Sequence, residues 1–200
     1  MNKIITISRE YGSGGHSIGE QVAAQLGIPF YDRDIVRETA KASGFEPEQI
    51  EREGEDLTRA DSILESIFSV SGSYYQDTHE AIRDVQKAII LRFAQQGPCV
   101  ILGRCADVIL REAGYDCINV FIHADTLHRG VRVSEMTGVT NATELQKMIA
   151  KKDHSRQNYY RRYTGKKWGD CHNYTLSLDS GALGYETCIR LITEIAKAAE

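Results

Sequence analysis

The residues best suited to chemistry form a glycine-rich turn, Gly12-Ser13-Gly14-Gly15-His16-Ser17, just after the apolar run Ile4-Ile5-Thr6-Ile7. Glycines let a backbone turn tightly and aim its N–H groups at an anion. A helix beginning near His16 adds the positive end of its dipole, so the turn suits a phosphate group. Set against the pattern G-x-x-x-x-G-K-[ST], Arg9 stands at the first glycine and Gly14 at the second. Gly15 stands at the lysine, and His16 is an extra residue before the hydroxyl of Ser17. The second group is cationic: Arg9, Arg33, Arg37, Arg104, Arg129, Arg132, Arg156, Arg161 and Arg162. A guanidinium fork bonds two phosphate oxygens at once, and joining two mutually repelling phosphorylated groups requires several such cations. Plainer readings stand beside these. The glycine turn also serves as a structural strand–helix connection, Arg104 as a surface residue at a strand end, and Arg129 with Arg132 as a solvated helix face.

The elements that position these residues alternate between strand and helix. Residues 3–8 are apolar on both faces, as a central parallel strand requires. A helix over 16–26 follows, ended by Gly27, then a short extended piece at Ile28-Pro29-Phe30-Tyr31. Asp32 is placed to cap a helix over 33–43. Short helices are expected over Glu46–Asp56 and Asp61–Val70, a loop at Ser71–Tyr75, and a strong helix over Glu80–Gln96. Cys99–Arg104 and Asn119–His123 read as buried strands. Residues 105–112, Thr126–Met136 and Asn141–Tyr160 read as helices, with Asn141 or Thr143 as the last one's cap. Tyr174–Asp179 reads as an edge strand and Tyr185–Ala198 as an amphipathic closing helix. This order predicts an α/β fold with a parallel sheet covered on both faces, its ligand crevice at the carboxyl ends of the strands.

The chain has 200 residues, enough for one domain, and a net charge of −4, which argues against nucleic acid as the main partner. No apolar run approaches a membrane span and no signal peptide is evident, so a cytoplasmic protein without a membrane partner is expected. The five cysteines form no C-x-x-C pair and are expected to be reduced thiols.

Taken in order, several segments resemble the cytidylate-kinase-like branch of the P-loop nucleoside monophosphate kinases. They are the glycine loop with its following Ile18-Gly19, Pro29-Phe30-Tyr31-Asp32-Arg33, Gly103-Arg104, the helix with Arg129 and Arg132, and Asp153-His154-Ser155-Arg156. The resemblance implies a three-layer α/β/α fold on a five-stranded parallel sheet. Its core would be 1–45, 80–150 and 170–200, with an acceptor-binding flap at about 46–80 and a lid at about 150–168. It implies ATP as co-substrate with Mg²⁺, and small-molecule nucleotides as partners. Residues 12–17 would hold the donor phosphates, with Ser17 at the magnesium-binding hydroxyl. Asp32, Arg37 and Arg104 would bind the acceptor, and Arg129, Arg132 and Arg156 would clamp the transferring phosphoryl group. A cytidine monophosphate is the first acceptor expected. Another small-molecule acceptor on this fold, or a nucleotide-binding regulator without catalysis, is the alternative. The chain departs from the branch at three points: the loop lysine is replaced by Gly15, Leu102 stands where an aspartate precedes Gly-Arg, and Arg33-Asp34-Ile35 replaces a Thr-Gly-Ala segment. His16, Arg9 or a lid arginine is left to supply the missing cation.

Overall fold

The computed structural model describes residues 3–44 and 72–198; the short helices expected within 46–70 and most of the expected flap lie outside them. Five parallel strands are arranged in the order β2-β3-β1-β4-β5. They are β1 (Ile4–Arg9), β2 (Phe30–Tyr31), β3 (Val100–Leu102), β4 (Cys117–His123) and β5 (Leu176–Asp179). β1 is central because five of its six residues are buried, and neither face tolerates water. Ile7 pairs with Leu102 of β3 on one side and Val120 of β4 on the other. β5 is an edge, as its alternating pattern predicts.

Helices cover both faces. α1 (Gly15–Leu26) and α8 (Tyr185–Ala198) pack Ile18, Val22, Cys188 and Ile192 against Ile5, Ile7, Val120 and Ile122 of the sheet. On the other face α2 (Arg33–Ser43), α3 (Gly72–Gln95) and α4 (Ala106–Glu112) bring Ile35, Ile90, Phe93 and Leu110 against Ile4 and Ile101. The period-2 alternation of β1 splits its isoleucines between these two cores, each buried side chain contributing about 1.5–3 kcal/mol. One polar pair crosses this core: Thr6 Oγ1 donates to Asn119 Oδ1 at 2.7 Å between register partners of β1 and β4.

Among the described residues two further long helices follow β4. α5 (Thr126–Thr137) is capped by Asp125, which accepts from Leu127 and His128 N–H. α6 (Ala142–Thr164) is capped by Asn141, which accepts from Glu144 N–H. The short α7 (Ser180–Leu183) and a 3₁₀ turn at Cys171–Asn173, neither legible from periodicity, close the chain around β5. Two expectations are corrected. α3 begins at Gly72, so the loop expected through Tyr75 is helical from Gly72 on, because no proline or further glycine interrupts it. α6 continues past Tyr160 to Thr164, where Gly165 at φ 67° ends it. Asp32 is at the N-cap of α2 but makes no capping hydrogen bond. All five cysteines are free thiols. Among the described residues no helix is long and apolar enough to cross a membrane.

Candidate functional site

The glycine turn joins β1 to α1 at the carboxyl end of the central strand. Gly12 and Gly14 have φ 83° and 77°, where L side chains are strained. Packing adds a second requirement. A Cβ on Gly12 would lie 2.8 Å from Arg129 O, and one on Gly14 would lie 2.1 Å from the Tyr185 ring. A Cβ on Gly15 would lie 2.5 Å from Arg9 Cβ. Ser13 does not face outward. It is 1% exposed, and its Oγ lies 2.9 Å from Glu10 O and 3.1 Å from Ile122 O. Ser180 Oγ lies 2.7 Å from Ser13 O, so α7 pins the loop from below.

Arg129 and Asp153 hold the loop from above. Asp153 Oδ1 accepts from Tyr11 N–H at 2.7 Å, and its other oxygen pairs with Arg129, whose Nη1 reaches Tyr11 O at 3.5 Å. Arg129 Nε also lies 3.5 Å from Glu10 Oε2, which itself accepts from Ala124 N–H at 3.2 Å. Burial pushes the Glu10 carboxyl up, and the neighbouring Arg129 offsets part of that. Arg129, expected to clamp a phosphoryl group, is instead engaged by two carboxylates and the loop backbone. Its i+3 neighbour Arg132 is 39% exposed and lies 3.5 Å from Glu135.

α1 starts without a capping side chain; Gly14 is its N-cap. Its first-turn N–H groups therefore present an uncapped positive helix end, unlike those of α5 and α6. The helix is regular from the start, with Ile18 N–H donating to Gly14 O at 3.0 Å, so His16 is not looped out. Position for position His16, not Ser17, takes the hydroxyl place of the loop pattern. Ser17 falls about 100° further round the helix. His16 Nε2 lies 3.3 Å from Asp32 Oδ2, and its ring meets Phe30 edge-on.

Beside the loop is a small cleft lined by three arginines, Arg9, Arg104 and Arg156, with Cys105, Tyr159 and Trp168. Each comes from a different element. Arg9 ends β1. Arg104 follows β3 in a left-handed run, Gly103 φ 73°, Arg104 φ 58° and Cys105 φ 54°. The two non-glycine residues of that run cost about 1–2 kcal/mol each. Gly103 N–H donating to Ile7 O at 2.9 Å and the onset of α4 hold the run in place, and Arg104 is only 8% exposed. Arg156 descends from α6, its Nη1 donating to Arg9 O at 3.0 Å and its guanidinium 5.7 Å from the Tyr11 ring centre. Behind them Tyr160 donates to Asp107 at 2.7 Å, and burial pushes the Asp107 carboxyl up. Across the loop a second cleft is lined by Glu10, Asp125 and Asp153 with His123 and His154, a charge pattern that disfavours phosphate. Arg37 does not line the cleft; its side chain is 64% exposed and lies 3.3 Å from Asp34.

Of the expected residues, Arg104 and Arg156 line the cleft together with Arg9, while Arg129 contacts Asp153 and the loop backbone and the Ser13 hydroxyl is internal. Tyr185, Ser180, Tyr159 and Trp168 carry no local sequence signal. Asp153, adjacent in sequence to the segment with Arg156, shows its role only once α6 is folded over the loop.

A model of the cytidylate kinase-like family matches residues 4–182. A solved structure of an uncharacterized protein from Eubacterium ventriosum ATCC 27560 is 26% identical over 98% of each chain, with a TM-score of 0.71. A shikimate kinase from Bacteroides thetaiotaomicron is 13% identical over 98% of this chain and 99% of its own, with a TM-score of 0.55. A gluconokinase from Sinorhizobium meliloti 1021 is 19% identical over 99% and 95%, with a TM-score of 0.54. At these identities the two kinases share the fold alone. None of the curated proteins compared with the chain matches it.

Proposed function

Because the chain belongs to the cytidylate kinase-like family, we propose that it transfers the γ-phosphoryl group of ATP to a small phosphorylated acceptor, with a CMP-type nucleoside monophosphate as first candidate. The observation that carries this reading is the convergence of Arg9, Arg104 and Arg156 on one cleft beside an uncapped helix N-terminus. Phosphoryl transfer needs positioning and positive charge rather than covalent help from the protein. The loop N–H groups and the start of α1 hold the donor phosphates, and Arg104 grips the acceptor phosphate. Arg156 spans both, since α6 ties it to the end of β1. A phosphate oxygen is already a nucleophile, so no general base is required. Arg129 acts indirectly, by fixing the loop.

Among the described residues near the loop, the Ser17 hydroxyl and Asp32, a partly buried carboxylate, suit magnesium. Magnesium is commonly held by one or two carboxylates together with substrate phosphates. When bound it would neutralise charge between the phosphates, held by Asp32 and the Ser17 hydroxyl. α6 serves as the lid that excludes water from the cleft. The partners on this reading are small molecules and the compartment is the cytoplasm.

A non-nucleotide acceptor is the second reading, kept because Arg33-Asp34-Ile35 stands where the branch has a Thr-Gly-Ala segment. An ADP-release assay with CMP, UMP, AMP and a panel of sugar and carboxylate acceptors separates the two. Turnover of CMP-type acceptors is expected. Turnover confined to a non-nucleotide overturns the first reading, and ATP binding with no turnover of any acceptor identifies a regulator. Arg104→Ala is expected to raise the acceptor KM roughly 10- to 100-fold at unchanged ATP affinity, the loss of one charge-assisted contact. Unchanged kinetics would remove Arg104 from the site.

A further inference from the structure

We infer that Arg9 supplies, from the end of β1, the cation that the glycine loop lacks at the start of α1. This rests on the reading of the loop as a phosphate-donor site. In G-x-x-x-x-G-K-[ST] the first glycine and the lysine lie six residues apart in sequence. In this chain those places are held by Arg9 and Gly15, an arginine where the pattern has glycine and a glycine where it has lysine. The fold shows that the two places touch: a Cβ on Gly15 would lie 2.5 Å from Arg9 Cβ and 2.8 Å from its Cγ. Only one of the two positions can carry a side chain in this backbone. The Arg9 stem therefore crosses the surface from which a lysine would rise, and Arg9 goes on to line the cleft with Arg104 and Arg156. The exchange moves the charge across a contact rather than deleting it.

Two other candidates near the loop face carboxylates. His16 faces Asp32 at 3.3 Å. Arg129 is engaged by Asp153, Glu10 and the Tyr11 carbonyl. No acidic residue in the first turn of α1 competes with the donor phosphates for a cation. An arginine also suits the new origin, because its longer reach and planar fork let it bond two phosphate oxygens from further back.

The test is calorimetric titration of the full chain with ATP in magnesium and, separately, with adenosine. Arg9→Met keeps the stem over Gly15 and removes the charge. It should weaken ATP binding roughly 10- to 100-fold and leave adenosine binding unchanged. The double variant Arg9→Gly with Gly15→Lys restores the standard pattern and should bind ATP roughly tenfold better than Arg9→Gly alone, regaining one charge-assisted contact. ATP affinity unchanged in Arg9→Met overturns the inference, as does an equal loss for ATP and adenosine, which marks a merely structural role. Failure of the double variant to improve on Arg9→Gly also counts against it. A wild type without affinity for ATP overturns the donor-site reading itself, whereas wild-type affinity that survives Arg9→Met sinks this inference alone.

Discussion

Replacing Asp153 by alanine tests whether the glycine loop is held in shape by the lid helix. One carboxylate oxygen of Asp153 accepts from Tyr11 N–H at 2.7 Å and the other pairs with Arg129. The side chains of Asp153 and Arg129 are only 18% and 11% exposed. A hydrogen bond to a charged acceptor contributes about 1.5–3 kcal/mol. Breaking a buried ion pair from one side costs about 3–5 kcal/mol. Arg129 keeps Glu10 at 3.5 Å after the change, and Asp153 retains some solvent. The expected loss is therefore toward the lower end, about 2–4 kcal/mol. At about 2–4 °C per kcal/mol for a chain of this size, the melting temperature should fall by roughly 5–15 °C. Asp153→Asn keeps an acceptor for Tyr11 N–H and should lose about half as much. Arg129→Met removes the other partner, so the double variant should fall short of the sum by about 1–3 kcal/mol. Thermal unfolding by circular dichroism measures the wild type and the four variants, and ATP titration reports the loosened loop as weaker binding. A melting-temperature change below about 2 °C for Asp153→Ala, or full additivity with Arg129→Met, would refute the clamp.

Other predictions concern packing and titration. Gly14→Ala puts a methyl 2.1 Å from the Tyr185 ring at φ 77°, and should cost about 2–4 kcal/mol by denaturant unfolding. Combining it with Tyr185→Ala should recover the steric part but not the backbone part. Asp107 has its carboxyl raised by burial, so the folded state binds a proton more readily than the unfolded chain. Its contribution to stability therefore improves as pH falls through the raised value toward 3.8, and worsens as pH rises. Asp107→Asn should remove that slope, so unfolding curves of wild type and variant between pH 4 and 8 should diverge; parallel curves would contradict it. Burial holds the Cys99 thiol up at about 12, whereas Cys171 is exposed. Alkylation of the native protein at neutral pH, read by mass spectrometry, should label Cys171 and spare Cys99, and the reverse order would contradict the packing.

Local pattern carries far in this chain. The apolar run of β1, the turn at Gly12–Gly15 and the amphipathic period of α8 each lie within one stretch of sequence, so both the parallel fold and the phosphate-suited loop are legible there. Gly103-Arg104 and Arg156 are likewise recognisable, because strand ends and helix faces follow from periodicity. What sequence could not determine depends on contacts between segments distant along the chain. Arg129 reads as a free cation until α6 brings Asp153 to it, 24 residues away. The Ser13 hydroxyl finds an acceptor in the carbonyl of Ile122, 109 residues on. The closest case is Arg9 and Gly15. Their types make the loop look broken when read along the chain. Only the tertiary fold, by pressing the end of β1 against the first residue of α1, shows that the two positions are in contact, so that just one of them can carry a side chain.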